Sequence, residues 1–124
     1  MAPDPKAVLD GAAVDARLAA ELPRWAREGD AIRRTYATHG WKGTLMVVTT
    51  VGHLAEAAWH HPDLQVGYGH VEVTLTSHDA GGVTERDLAL AHKIEEVVMW
   101  RPGDEDGPLS GTPDDPRFAY IKDD

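Results

Sequence analysis

The hydrophobic positions along this chain alternate between two periods. Val14, Leu18 and Leu22 recur every fourth residue and predict one apolar face of a helix over 7–22, most regular after Gly11 and broken at Pro23. A short strand is expected over 25–28, followed by turn chemistry at Glu28-Gly29-Asp30, where glycine supplies the backbone freedom. Residues 31–38 then alternate, with Ile32, Arg34 and Tyr36 on one side and Arg33 and Thr35 on the other, which predicts a second strand pairing back on the first. His39-Gly40 reads as a loop. Residues 45–59 are apolar nearly all round. The β-branched run Val47 to Val51 leaves strand open at its start, but the Ala-rich second half and the length decide for a helix buried on most faces. A strand is expected over 64–68, with Gly69-His70 as a hairpin connection. Val71, Val73 and Leu75 alternate with Glu72, Thr74 and Thr76, the cleanest strand signal in the chain. Thr84 is a good N-cap, with Glu85 and Asp87 placing negative charge in the first turn of a helix that runs to about residue 99 along Leu90, Ala91, Ile94, Val97 and Val98.

The element order is therefore αββαββα: an α+β fold with a four-stranded antiparallel sheet and helices packed on one face. The chain's 124 residues suit one domain with a single core. That domain is placed at 1–100, and 101–124 is read as an acidic, Pro/Gly-rich C-terminal extension. The extension regains order signals only at 118–121, which could add an edge segment or dock on a partner; its charges otherwise read as a solvated end. Residues 1–6, with Pro3 and Pro5, are expected to be loose, and they lack the features of a signal peptide.

Charge and composition narrow the function. The formal net charge is −9, which repels phosphate backbones and argues against nucleic-acid binding. No apolar run is long enough to cross a membrane. There is no cysteine, which removes thiolate zinc sites and cysteine nucleophiles and fits a cytoplasmic location.

The candidate chemistry centres on Glu56-Ala57-Ala58-Trp59-His60-His61-Pro62. Pro62 should end the helix at the histidine pair, and the i,i+4 spacing would put Glu56 and His60 on one face. Tyr68, His78 and Asp87 follow downstream, and the fold is expected to return His78 to the pair. Histidines titrate near neutrality, so one ring can donate a proton while another accepts. Such a pairing suits loss of water from a carbinolamine, which needs an acid at the hydroxyl and a base at nitrogen. A zinc site from Glu56, His60 and His78 is the weaker reading, because adjacent His60 and His61 are awkward co-ligands and no thiolate exists. No metal is expected. His39, His53, His70 and His92 read as surface or packing residues, and Trp59 and Trp100 as core or interface aromatics.

The spacing of Glu56, His60-His61-Pro62, Tyr68, His78 and Asp87 resembles the signature of the pterin-4a-carbinolamine dehydratases, as does the block from Val71 to Asp87. The resemblance implies the αββαββα fold, a homodimer or homotetramer formed through sheets and helices, and dehydration of 4a-hydroxytetrahydropterin to quinonoid dihydropterin. The pterin is then substrate, and no cofactor is implied. Carried over by position, His60 and His78 would be the catalytic acid/base pair. His61, Glu56, Pro62, Ser77 and Asp87 would bind or orient the pterin.

The chain departs from the family pattern at several places. Trp59 stands where many members have a small or acidic residue, Leu64 and Gln65 replace more aromatic residues, and Gly69 follows Tyr68 where Asn is common. Residues 38–43 replace a phenylalanine-rich segment. A branch of dehydratase-like proteins in the carboxysome operons of some autotrophic bacteria is implicated in Rubisco assembly. A divergent pocket and an added tail make a non-catalytic assembly factor, with Rubisco as client and a carboxysome association, the alternative reading.

Overall fold

Alternation along the strands decides which side of the sheet is covered. The computed structural model describes residues 4–123. Helix α1 spans Gly11–Glu21, strands β1 and β2 span Ala26–Glu28 and Ala31–Ala37, and helix α2 spans Trp41–Ala58. Strands β3 (Asp63–Gly67) and β4 (His70–Leu75) and helix α3 (Glu85–Val98) follow. The strands form one antiparallel sheet in the order β1-β2-β4-β3. Ile32 pairs with Leu75, Arg34 with Val73 and Tyr36 with Val71, and all six side chains are buried under the helices. Arg33, Thr35, Glu72 and Thr74 project to the uncovered side, as a period of two requires.

The core is built from the stripes the periodicity marked. Val14, Leu18 and Leu22 come from the α1 region; Val47, Val51 and Ala55 from α2; Leu88, Ala91, Ile94 and Val98 from α3. Each fully buried aliphatic side chain contributes about 1.5–3 kcal/mol of transfer free energy. Among the described residues no helix is long and apolar enough to cross a membrane.

Several boundaries move, each for a local reason. Helix α1 starts at Gly11 because the Asp10 carboxylate accepts from Ala13 N–H at 2.8 Å and caps it there. Before it, Asp4 to Ala7 form a turn, while residues 1–3 of the expected loose start lie outside the described residues. His70 belongs to β4, so the hairpin turn is Tyr68-Gly69. Helix α2 begins at Trp41, four residues earlier than its hydrophobic run, and ends at Ala58. It is not buried on most faces: Trp41, Leu45 and Met46 are about half exposed, and the buried residues form a single stripe. Trp59 and Trp100 are exposed and outside the core.

The end of the chain returns to the domain. Ile121 is buried and bridges Thr38, Lys122 N–H donates to the Ala37 carbonyl at 2.9 Å, and the Tyr120 hydroxyl donates to the Val98 carbonyl at 2.7 Å. The tail thus lies across the start of α2 and the end of α3. Phe118, in the same segment, is half exposed.

Two polar clusters brace the helices. The Arg17 guanidinium bridges Glu21 on α1 and Glu85 on α3, and His92 also reaches Glu21, at 2.9 Å. Glu95 on α3 reaches down to the sheet. Its Oε1 accepts from Trp25 Nε1 at 3.0 Å, Arg34 Nε at 3.1 Å and the Tyr36 hydroxyl at 2.8 Å. Burial, then the Glu95 charge, push the Tyr36 phenol above its ordinary value.

Candidate functional site

The end of helix α2 and the start of α3 meet, and the histidine pair lies at that junction. At Trp59 the backbone enters the left-handed region (φ 53°, ψ 46°). The Trp59 N–H still bonds back to the helix, and His60 N–H donates to the Ala55 carbonyl at 3.1 Å. The reversal points the two histidines apart. The His60 side chain turns inward and is 12% exposed; His61 turns outward and is 53% exposed.

His60 Nε2 lies 2.6 Å from Asp87 Oδ1. Asp87 is fully buried, and its Oδ2 accepts from the Ser77 hydroxyl at 2.8 Å and from Thr84 N–H at 2.9 Å. The Thr84 hydroxyl in turn lies 2.9 Å from Ser77 Oγ. Thr84 caps α3 and Asp87 closes the capping box, so one carboxylate both holds the helix start and faces His60. The helix-charge role and the site role weighed for Asp87 are therefore compatible. Taken as a carboxylate, Asp87 accepts a hydrogen bond from His60 Nε2–H, and in the neutral ring that tautomer leaves the other nitrogen as the lone-pair face.

Glu56 pairs with His61 rather than His60, at 2.8 Å, with both groups exposed. The i,i+4 expectation fails because the helix stops at Ala58 and the left-handed residue rotates the pair off its face. Trp59 packs edge-on to His61, with ring centroids 5.2 Å apart and planes at 80°. Pro62 follows, half-buried, where the chain turns into β3.

His78 follows Ser77 in a tight turn. Ser77 N–H donates to the Gly82 carbonyl at 3.0 Å, while Gly81 N–H donates back to the Ser77 carbonyl at 2.9 Å. Arg86 on α3 holds the loop through Asp79 at 2.7 Å, and that hydrogen bond keeps the Asp79 carboxyl below the usual carboxylate range. His78 is exposed and its ring makes no hydrogen bond among the described residues. It is joined to His60 only through the chain of Ser77 and Asp87. Thr84 is the member of this network that the motif spacing did not single out, although its capping position was legible.

His39, His53, His70 and His92 are all exposed and stand apart from this junction. Among the described residues no three His, Asp or Glu side chains are arranged to hold a metal ion. A cleft of about 540 Å³ lies at the far end of α3, lined by His39, Trp100, Arg101, Tyr120, Ile121 and neighbouring tail residues, and includes neither the His60–Asp87 network nor His61 or His78.

What this arrangement can do is move protons: a buried carboxylate holds one imidazole, and two further imidazoles, His61 and His78, stand exposed, each next in the chain to a member of that network. The profile of the family described as pterin 4 alpha carbinolamine dehydratase matches residues 7–97. A Thermomicrobium roseum protein bearing that dehydratase's name is 47% identical over 90 residues, which is 73% of this chain and 96% of the relative. An Aquifex aeolicus protein of the same name is 49% identical over 77 residues, 62% of this chain and 78% of the relative. Among solved structures, a transcriptional coactivator/pterin dehydratase from Brucella melitensis superposes with a TM-score of 0.68 at 27% identity, covering 73% of this chain and 98% of its own. A pterin dehydratase-like protein described as a RuBisCO assembly factor in the alpha-carboxysome shares the fold at 19% identity, with a TM-score of 0.51, over 61% of this chain and 88% of its own.

Proposed function

The chain belongs to the pterin 4 alpha carbinolamine dehydratase family, and on that premise we propose that it dehydrates 4a-hydroxytetrahydropterin to quinonoid dihydropterin by histidine acid/base catalysis. The observation that carries the reading is the contact of His60 with the fully buried Asp87 at 2.6 Å, with Ser77 and Thr84 holding the carboxylate and His78 next in the chain to Ser77. In the reaction one imidazolium protonates the hydroxyl on the carbinol carbon. The carbon–oxygen bond breaks and water departs. The adjacent ring nitrogen supplies the electron pair for the new carbon–nitrogen double bond and loses its proton to the second imidazole. The acid ends neutral and the base ends protonated, so solvent exchange resets the pair. No electrons are exchanged with a cofactor.

In this scheme His60 and His78 are the catalytic pair, and His61, braced by Glu56, contacts the pterin with Pro62. Asp87 and Ser77 orient His60. Stopped-flow loss of enzymatically generated 4a-hydroxytetrahydropterin tests the scheme. The protein should accelerate it, and His60→Ala and His78→Ala should each remove the acceleration while far-UV circular dichroism is unchanged. No acceleration by folded wild-type protein would end the proposal.

The assembly-factor alternative has the support of a shared fold with one such protein, and a fold does not carry function. The intact His60–Asp87–Ser77–Thr84 network favours the enzyme. The homodimer or homotetramer implied by the family is part of the proposal. Exposed Trp41, Leu45 and Met46 on α2 would suit a helix contact, and sedimentation equilibrium would measure it.

A further inference from the structure

The backbone at Trp59 is at odds with its side chain. Among the described residues it is the one non-glycine residue with positive φ. Helices commonly end on a left-handed residue, but that residue is ordinarily Gly or Asn, because a Cβ is crowded there. Nothing in the helix end requires an indole. The capping bonds come from the Trp59 and His60 backbone N–H groups, which any non-proline residue supplies. Burial does not offset the strain either, since Trp59 is 75% exposed. Its ring contact is His61, itself bonded to Glu56, and its chain neighbour is His60, bonded to Asp87. A large aromatic therefore stands in a strained conformation, largely open to solvent, against His61, the proposed pterin contact, and next in the chain to His60. Strain of this kind persists where the surroundings or the function demand it.

The geometry points to Trp59 as the residue that positions the pterin in this chain, its indole stacking on the planar bicyclic ring. The inference deepens the dehydratase reading and rests on it. An indole held edge-on to His61 keeps much of its surface free, and offset stacking is the favoured contact between flat π-systems. A pterin stacked there lies against His61 and at the mouth of the junction from which His60 turns inward to Asp87. Trp59 thereby serves as a positioning residue, affecting capture of substrate more than the proton transfers.

The test compares wild type with Trp59→Asn and Trp59→Phe. Asn accepts the left-handed backbone, and Phe keeps an aromatic face. Binding of 7,8-dihydrobiopterin is followed by calorimetry and by quenching of tryptophan emission, and dehydration by stopped flow. Trp59→Asn should weaken binding roughly 5- to 150-fold, the range for loss of one aromatic stack. KM should rise in step while kcat stays within about threefold of wild type. Its Tm should rise by roughly 2–5 °C as backbone strain is relieved. Trp59→Phe should restore most of the affinity without the gain in Tm. Unchanged affinity in Trp59→Asn, in a wild type that binds and turns over pterin, overturns this inference and leaves the dehydratase reading standing. Failure of Phe to restore binding lost in Asn overturns the stacking role. A wild type that neither binds nor dehydrates the pterin overturns the dehydratase reading, and this inference with it.

Discussion

The carbonyl oxygen of Tyr120 sits 2.3 Å from where a Cβ on Gly43 would be. The returning tail is therefore laid directly on the backbone of α2, and only glycine permits it. Gly43→Ala should destabilise the full chain by about 1–3 kcal/mol, as overpacking does. In a variant ending at Arg117 the obstruction is gone. There the same substitution should stabilise by up to about 1 kcal/mol, because alanine is the better helix former. Urea denaturation of the four proteins measures both values, and the same sign in both backgrounds would show that the tail does not dock on α2.

Glu95 gathers Trp25, Arg34 and Tyr36 from the sheet side, and Arg34 is 5% exposed. Removing the carboxylate takes away the acceptor that Trp25, Arg34 and Tyr36 share, including an ion pair to a buried guanidinium. Glu95→Ala should cost about 2–4 kcal/mol, the lower part of the range reflecting the partial exposure of Glu95. Arg34→Met combined with Glu95→Gln should cost less than Glu95→Ala alone, because the charge is gone and the amide oxygen still accepts from Trp25 or Tyr36. Chemical denaturation would check the order, and a double variant worse than the single would refute the account.

Tyr36 adds a pH dependence to that cluster. Burial, then the Glu95 charge, raise its phenol above the ordinary value of 10. Below pH 10 folded and unfolded chains both keep the proton, and the stabilisation is present in full. Above it, unfolded chains release a proton that the fold retains, so stability falls as pH rises. The loss approaches about 1.4 kcal/mol per pH unit for this group. Tyr120, raised by burial, adds to the wild-type slope. The stability difference between wild type and Tyr36→Phe should therefore be constant from pH 7 to 9 and shrink from pH 10 to 11. A difference that stays level would mean that Tyr36 titrates at its ordinary value.

Local pattern made most of the fold legible. Ile32 and Tyr36 alternate as a covered strand must, Val14, Leu18 and Leu22 repeat as a helix stripe must, and Thr84 announces α3 by its cap. What was illegible depends on distant or non-periodic contacts. Gly43 falls before the helix expected from residue 45, yet it is helical, and Tyr120, far along the chain, occupies the space a side chain there would fill. Arg34 read as one more alternating position, and only the packed structure shows Glu95 meeting it. At the site, spacing located Glu56, His60, His61 and Asp87 but assigned Glu56 to the wrong histidine. A helical period has no way to encode a left-handed residue at Trp59.

That same reversal makes Asp87 the most informative position to change. Asp87→Asn keeps an oxygen for Ser77 and Thr84 N–H, so the cap should survive with a loss of about 1 kcal/mol or less. The amide nitrogen then faces His60 Nε2 and must donate to it. His60 is driven to the opposite tautomer, and its other nitrogen changes from lone pair to N–H. A base becomes a donor without a change in shape. Turnover should fall by roughly 10²–10⁴-fold, the usual worth of a positioned acid or base. Ser77→Ala, which leaves the carboxylate in place, should cost less than about tenfold. Measured by stopped flow, Asp87→Asn activity within tenfold of wild type would mean that the His60–Asp87 contact is structural. His78 would then be the histidine to pursue.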